Sequence, residues 1–205
     1  MWPCLKRKNK GATKWLNSTT FIASRHNDSP LLIPHFIPCA DHQLVLLAPH
    51  HFTAYWHIYS NESLMQHIKK PLTKQSAKRL FNFTLSELTS PQPTKLTYMI
   101  ENSCHEVLGL VGLTLPEKPN GSAEIGVMIL PQWQRQKVAH QAKQSLIATA
   151  FERMDLRHIY AHCEVTNIAA NRANQKLGFD LDDSFHDPKK GTEIKVWKIS
   201  RPDSK

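Results

Sequence analysis

Residues 124–179 read EIGVMILPQWQRQKVAHQAKQSLIATAFERMDLRHIYAHCEVTNIAANRANQKLGF, and this stretch decides the fold. Glu124 to Leu130 is an apolar run of strand length closed by Pro131. After the proline, Val138, Ala142, Leu146, Ala150 and Met154 recur every four residues, with Ala139 and Phe151 widening the stripe into an amphipathic helix. His158 to Val165 reads as the next strand. Strand, helix and strand in this order imply a right-handed crossover. Asn167 is placed to cap a further helix, and Gly178 to end it in a left-handed conformation.

Upstream, Leu44 to Leu47 reads as a buried strand closed by Pro49. Phe52, Tyr55, Trp56 and Tyr59 then share one helical face, a core-facing aromatic stripe. Thr73 is an expected N-cap for a helix carrying Ala77, Leu80, Phe81, Leu85 and Leu88 on one side, and Ser90-Pro91-Gln92-Pro93 marks a loop. Runs at 95–100 and 106–114, separated by Glu101-Asn102-Ser103, read as a hairpin. A second turn, Pro119-Asn120-Gly121, leads into the run from Ala123 and extends it to an antiparallel meander. Downstream, 179–185 and 192–199 read as a final pair of strands.

The chain has 205 residues, 40% of them hydrophobic, which suits one globular domain with a sizeable core. Its formal charge of +9 implies attraction to anions, whether nucleic acid, an acidic membrane surface or a phosphorylated cofactor. No run approaches the roughly 20 apolar residues of a membrane-spanning helix, and no secretory h-region is present. Cys4, Cys39, Cys104 and Cys163 form no CxxC pair, so reduced thiols and a cytoplasmic location are expected. No acidic residue precedes Asp28, while Lys6, Arg7, Lys8, Lys10, Lys14 and Arg25 do, with Trp2 and Trp15 among them. The expected organisation is a flexible basic extension over 1–39, one folded domain over 40–199 and a short tail over 200–205.

A turn between a strand and a helix can hold phosphate, because the first N–H groups of the helix lack internal partners and sit at the positive end of its dipole. Gln134-Arg135-Gln136-Lys137-Val138-Ala139 stands at such a turn. With Asn167-Ile168-Ala169-Ala170 and Lys176-Leu177-Gly178-Phe179, it resembles the coenzyme-binding core of the GNAT superfamily of N-acetyltransferases. Ser60-Asn61-Glu62-Ser63-Leu64-Met65 is similar to the S-N-P-E-L-M segment of the branch that acetylates ribosomal-protein N-termini. The family's turn has the form Q/R-x-x-G-x-G/A. Gln134 and Ala139 match it, whereas Lys137 and Arg135 stand where glycines are usual, and Ala170 replaces a serine.

The resemblance implies an α/β fold with a central, mostly antiparallel twisted sheet flanked by helices. It implies acetyl-CoA as cosubstrate and transfer to a primary amine such as a protein N-terminal α-amine. His50, His51 and His57, like His158 and His162, invite a metal reading, but neither group combines helical i, i+4 spacing with supporting carboxylates, so no metal is expected. Val127, Met128 and Ile129 would align the pantetheine arm, and Gln134 to Ala139, with Asn167, Ala170 and Arg172, would bind the coenzyme. Glu124 and Asn167 would be the catalytic residues, Glu124 taking the ammonium proton. Several relatives carry a tyrosine seven residues after the asparagine. Here that position is Asn174, which leaves Tyr160 or solvent as the proton donor.

Arg135, Lys137, His140 and Lys143 form a basic cluster at the start of the helix, with Arg172 and Lys176 on the later one. The cations at the turn either contact the diphosphate or obstruct it. If they obstruct, the chain is a non-catalytic protein of the same fold that binds or senses a partner. A nucleic-acid-associated module would need the same charge, but no aromatic-interleaved basic motif accompanies it. Membrane partners are not expected, and the protein would be a monomer or homodimer.

Overall fold

Apolar runs bounded by turn residues become the strands of one large sheet. The computed structural model describes residues 19–22, 31–116 and 120–202. β1 (Thr19–Ile22) and β2 (Leu31–Pro34) pair antiparallel as a separate ribbon. Eight further strands follow: β3 (Phe36–Pro38), β4 (Gln43–Leu46), β5 (Lys95–Glu101), β6 (Val107–Thr114), β7 (Ser122–Ile129), β8 (His158–Glu164), β9 (Asp180–Asp187) and β10 (Thr192–Ser200). Their spatial order is β3-β4-β5-β6-β7-β8-β10-β9. Every pairing is antiparallel except that of β7 with β8. The expected mostly antiparallel sheet flanked by helices is the fold observed.

A parallel pair needs a crossover, and α4 (Val138–Arg153) supplies it. Val138, Ala142, Leu146, Ile147 and Ala150 are its buried face, packed towards β6 and β7. Burying one leucine as fully as Leu146 contributes about 2 kcal/mol. α1 (Phe52–Ser60) and α3 (Lys74–Glu87) pack together near β5 and β6, with α2 (Glu62–Met65) between them in the chain. Most of the aromatic stripe of α1 faces this core. Tyr55 is 1% exposed, and the Phe81 ring lies edge-on to Tyr55 at 5.1 Å and to Phe52 at 5.4 Å. Trp56 is only half-buried, its ring covered by the Lys74 ammonium.

The local stop signals act as read. Thr73 Oγ1 accepts the Ser76 N–H at 3.2 Å, capping α3. Asn167 Oδ1 accepts the Ala170 N–H at 3.1 Å, capping α5 (Ile168–Lys176), and Gly178 follows that helix at φ +84°.

The last residues of the expected extension have partners in the sheet. β3 pairs with β4, Phe36 opposite Val45, and Tyr98 donates its hydroxyl to Pro34 O at 2.9 Å, so residues 34–38 are tied to the sheet. Residues 1–18 and 23–30, which hold most of the basic extension and both its tryptophans, lie outside the described residues. So do Pro119 of the expected second turn and residues 203–205. Cys39 and Cys163 are free thiols, whereas Cys104 is disulfide-bonded, against the expectation of reduced thiols throughout.

Candidate active site

β7 and β8 run together for three rungs, Ser122 with His158, Ala123 with Ile159 and Glu124 with Tyr160, and then part. Beyond Glu124 the β8 side of β7 has no strand partner among the described residues, so its backbone donors and acceptors there face the fork. The fork holds a cavity of about 430 Å³, lined by Glu124 to Met128 of β7, Ala161 to Glu164 of β8, the first turns of α4, and Asn167, Ala170 and Asn174 around α5. That volume suits a small-molecule or cofactor site.

At the far end of β7 lies the phosphate-type turn. Arg135 and Lys137 both take φ +62°, the left-handed conformation that glycine adopts without strain. Each non-glycine residue held so costs roughly 1–2 kcal/mol. Gln134 ties the turn to β7 by donating its side-chain amide to Ile129 O at 3.0 Å. Gln141 N–H to Lys137 O, 3.0 Å, is the bond that opens α4. The N–H groups of Val138, Ala139 and His140 precede it at the positive end of the helix. The side chains of Arg135, Gln136 and Lys137 are exposed.

At the mouth of the fork, His162 Nδ1 lies 3.1 Å from Glu124 Oε1. That hydrogen bond holds the imidazole pKa above its ordinary value, against an opposing effect of burial. Sequence reading raised His162 only as a possible metal ligand. Nothing local signals its pairing with Glu124, which depends on the parallel register of two strands separated by a helix.

A second grouping was also missed. Lys143, read as part of the basic cluster at the start of the helix, is 4% exposed and lines the cavity. Its Nζ donates to Asn174 Oδ1 at 2.5 Å and lies 4.8 Å from the centre of the Phe179 ring. Asn174 in turn donates its Nδ2 to Cys163 Sγ at 3.3 Å. On the wall near α2, Glu164 bridges His67 Nδ1 (2.7 Å) and Lys190 Nζ (3.2 Å), joining the helical side to the β9–β10 hairpin.

Of the residues that the resemblance implied, Glu124, Val127, Met128, Ala139, Asn167 and Ala170 line the cavity. Gln134, Arg135, Gln136, Lys137 and Val138 form the turn beside it, Ile129 is buried in the core, and Arg172 is exposed on α5. The Asn167 side chain is engaged as the α5 cap. Tyr160, one of the proton donors considered, does not line the cavity.

His50, His51 and Glu101 bring ligand-type atoms within 4.8 Å of one another. His51 Nδ1 accepts the Ala48 N–H at 2.9 Å, so in the neutral ring Nε2 carries the proton and donates to Glu101 Oε1 at 3.0 Å. A metal would need that nitrogen bare, with the other ring nitrogen donating rather than accepting. This donor set therefore suits a buried hydrogen bond and not a metal.

A family model described as Acetyltransferase (GNAT) domain matches residues 43–180. The chain is 29% identical over 99 residues to the uncharacterized N-acetyltransferase YjdG of Bacillus subtilis (strain 168), an alignment covering 48% of this chain and 55% of that protein. The chain thus spans about half the length of that curated relative. Among solved structures, it is similar to the Salmonella typhimurium acetyl transferase that modifies the N-terminal serine of 50S ribosomal subunit protein L7/L12. That match has TM-score 0.73 and 17% identity, over 82% of this chain and 99% of that one. It is also similar to the Vibrio cholerae spermidine N-acetyltransferase in complex with CoA and spermine, with TM-score 0.67 and 20% identity, over 78% and 95% of the two chains. At these identities the two structures speak for the fold.

Proposed function

The chain belongs to the GNAT acetyltransferase family, and on that footing we propose that it transfers an acetyl group from acetyl-CoA to a primary amine, a protein N-terminal α-amine being the acceptor class we favour. The observation that carries this reading is the fork. β7 and β8 part after three rungs and open a cavity of about 430 Å³ that runs towards a helix N-terminus.

In this reading acetyl-CoA is a cosubstrate. Backbone groups of Val127 to Ile129 align its pantetheine arm and polarise the thioester carbonyl, fixed dipoles that need no rearrangement as charge develops. The turn from Gln134 to Ala139 receives the diphosphate on its free N–H groups. Arg135 and Lys137 supply charge where glycine would supply only space, and Ala170 of α5 lines the cavity. Holding amine and thioester together removes much of the entropic barrier. Glu124, in contact with His162, takes the proton that the attacking amine must lose, and Asn167 fixes the start of α5 beside the reacting groups. The wall built by His67, Glu164 and Lys190 faces the acceptor.

Calorimetry and thermal unfolding with acetyl-CoA test the reading. At about 100 times its dissociation constant the coenzyme stabilises the fold by about 2.7 kcal/mol. Release of CoA thiol with N-terminal peptides, compared with polyamines, then identifies the acceptor class. Neither heat nor a thermal shift at millimolar acetyl-CoA would overturn the proposal. The protein would then be a non-catalytic member of the fold.

A further inference from the structure

Lys143 is a cation where a packed helix face calls for an apolar residue. It lies among the buried positions of α4, one residue after Ala142 and three before Leu146, and is 4% exposed. Among the described residues no carboxylate pairs with it. Its one hydrogen bond runs to a neutral amide, Asn174 Oδ1 at 2.5 Å, and its other neighbours are the Phe179 ring and the Cys163 thiol. A buried ammonium without a counter-ion is costly, and burial pushes its pKa down to about 8. Such a site gains most when an anion forms beside it.

We propose that Lys143, positioned by Asn174, is the counter-charge that stabilises the coenzyme thiolate released by acetyl transfer. This rests on the acetyl-CoA reading of the fork. The amine nitrogen forms a bond to the acetyl carbon, and the carbon–sulfur bond breaks with its electron pair remaining on sulfur. The thiolate is held against the Lys143 ammonium and takes up a proton from solvent as CoA leaves, the lysine keeping its charge throughout. The proton lost by the acceptor leaves through Glu124 and His162.

The other groups facing the cavity are less suited to this role. Asn174 is an amide, and its Nδ2 is already given to Cys163. The Cys163 thiol is pushed up by burial and Tyr59 well above the usual phenol range, while His162 is engaged with Glu124. His140 lies on the same helix one turn before Lys143 and is only half-buried. Among the described residues that line the cavity, where Lys95, Lys190 and His67 are not buried, Lys143 alone combines burial, a fixed hydrogen bond and a charge opposite to that of the departing sulfur.

The test needs no acceptor. The ionisation of the thiol of bound CoA is followed by its ultraviolet thiolate absorbance, with the desulfo-CoA complex as blank. In the native protein the bound thiol is expected to ionise about 1–3 pH units lower than in free CoA. In Lys143→Met it returns to the free value or above, while calorimetry with desulfo-CoA shows little change in affinity. A native complex whose thiol titrates no lower than free CoA overturns the role of Lys143 and leaves the coenzyme reading standing. No binding of CoA to the native protein overturns both. The native titration needs no variant, so it decides even if Lys143→Met does not fold.

Discussion

His162 Nδ1 stands 3.1 Å from Glu124 Oε1 at the point where β7 and β8 separate. Each residue sits on a different arm of the fork, and the parallel register between the arms brings them together. A carboxylate held against an imidazole forms a two-member path for an outgoing proton.

Replacing Glu124 by Gln removes the acceptor and the charge that sustains His162. The turnover number is expected to fall about 10²- to 10⁴-fold, with coenzyme affinity little changed. His162 is raised by its hydrogen bond to Glu124, so its titration, followed by NMR, moves down in the variant. The sign for stability follows. A raised histidine stabilises fully below the unfolded value, about 6.5, and loses that contribution as pH rises through the folded value. The native protein's advantage over Glu124→Gln is therefore larger in mild acid than in alkali. The pair is partly exposed, which limits that advantage to about 0.2–1 kcal/mol. An unmoved His162 titration would refute the coupling.

Lys137 caps α4 at φ +62° and ψ +4° with its side chain exposed. Lys137→Gly relieves roughly 1–2 kcal/mol of backbone strain and gives back about 0.5–1 in chain entropy, so the fold should gain up to about 1 kcal/mol in chemical denaturation. On the proposed reading, in which the cation contacts phosphate, coenzyme binding is expected to weaken and its salt dependence to soften. Tighter binding would mean that the side chain obstructs the turn.

The strands from β4 onwards, the two helix caps and the Gly178 terminator are legible because each is a local apolar run, a polar cap or a left-handed glycine. What stayed hidden depends on distance in the chain or on residues that break their own pattern. β3 is three residues with a proline, too short to show alternation. The insertion of β10 between β8 and β9 has no local signature. Lys143 reads as one more cation of the basic cluster at the start of α4, because a cation on an amphipathic helix is ordinarily outside, and only the packing of α5 against β8 shows it facing Asn174. The turn could be named from its place between strand and helix, but the left-handed backbone at Arg135 and Lys137 contradicts what their residue types prefer.

Gly109 on β6 has no room for a side chain. A Cβ there would stand 2.2 Å from Met128 O and 3.0 Å from Ile129 Cα, both backbone atoms of β7. Gly109→Ala must push β7 sideways at the edge of the fork and is expected to destabilise the fold by about 3 kcal/mol and to weaken coenzyme binding. Gly126, on β7 itself, would place its Cβ within 4 Å of nothing, so Gly126→Ala should change stability by less than about 0.5 kcal/mol. Equal denaturation midpoints for the two variants would contradict this placement of β7 against β6.

His51 makes the stability of the helical side sensitive to acid. It is 3% exposed, its Nδ1 accepts the Ala48 N–H, and its Nε2 meets the buried carboxylate of Glu101. Burial, then the neighbouring His50, push its pKa below 6.5, and Glu101 restores only part of the loss. Between the lowered folded value and 6.5 the unfolded chain binds the extra proton and the folded chain does not. Stability is therefore undiminished above about 6.5 and falls as pH drops towards the folded value. Urea denaturation across this range should show the decline. His51→Asn, which keeps an acceptor for Ala48 but cannot take up a proton, should be less stable near neutrality by about 1–3 kcal/mol, with a shallower slope towards acid. Parallel slopes for the two proteins would place the acid sensitivity elsewhere.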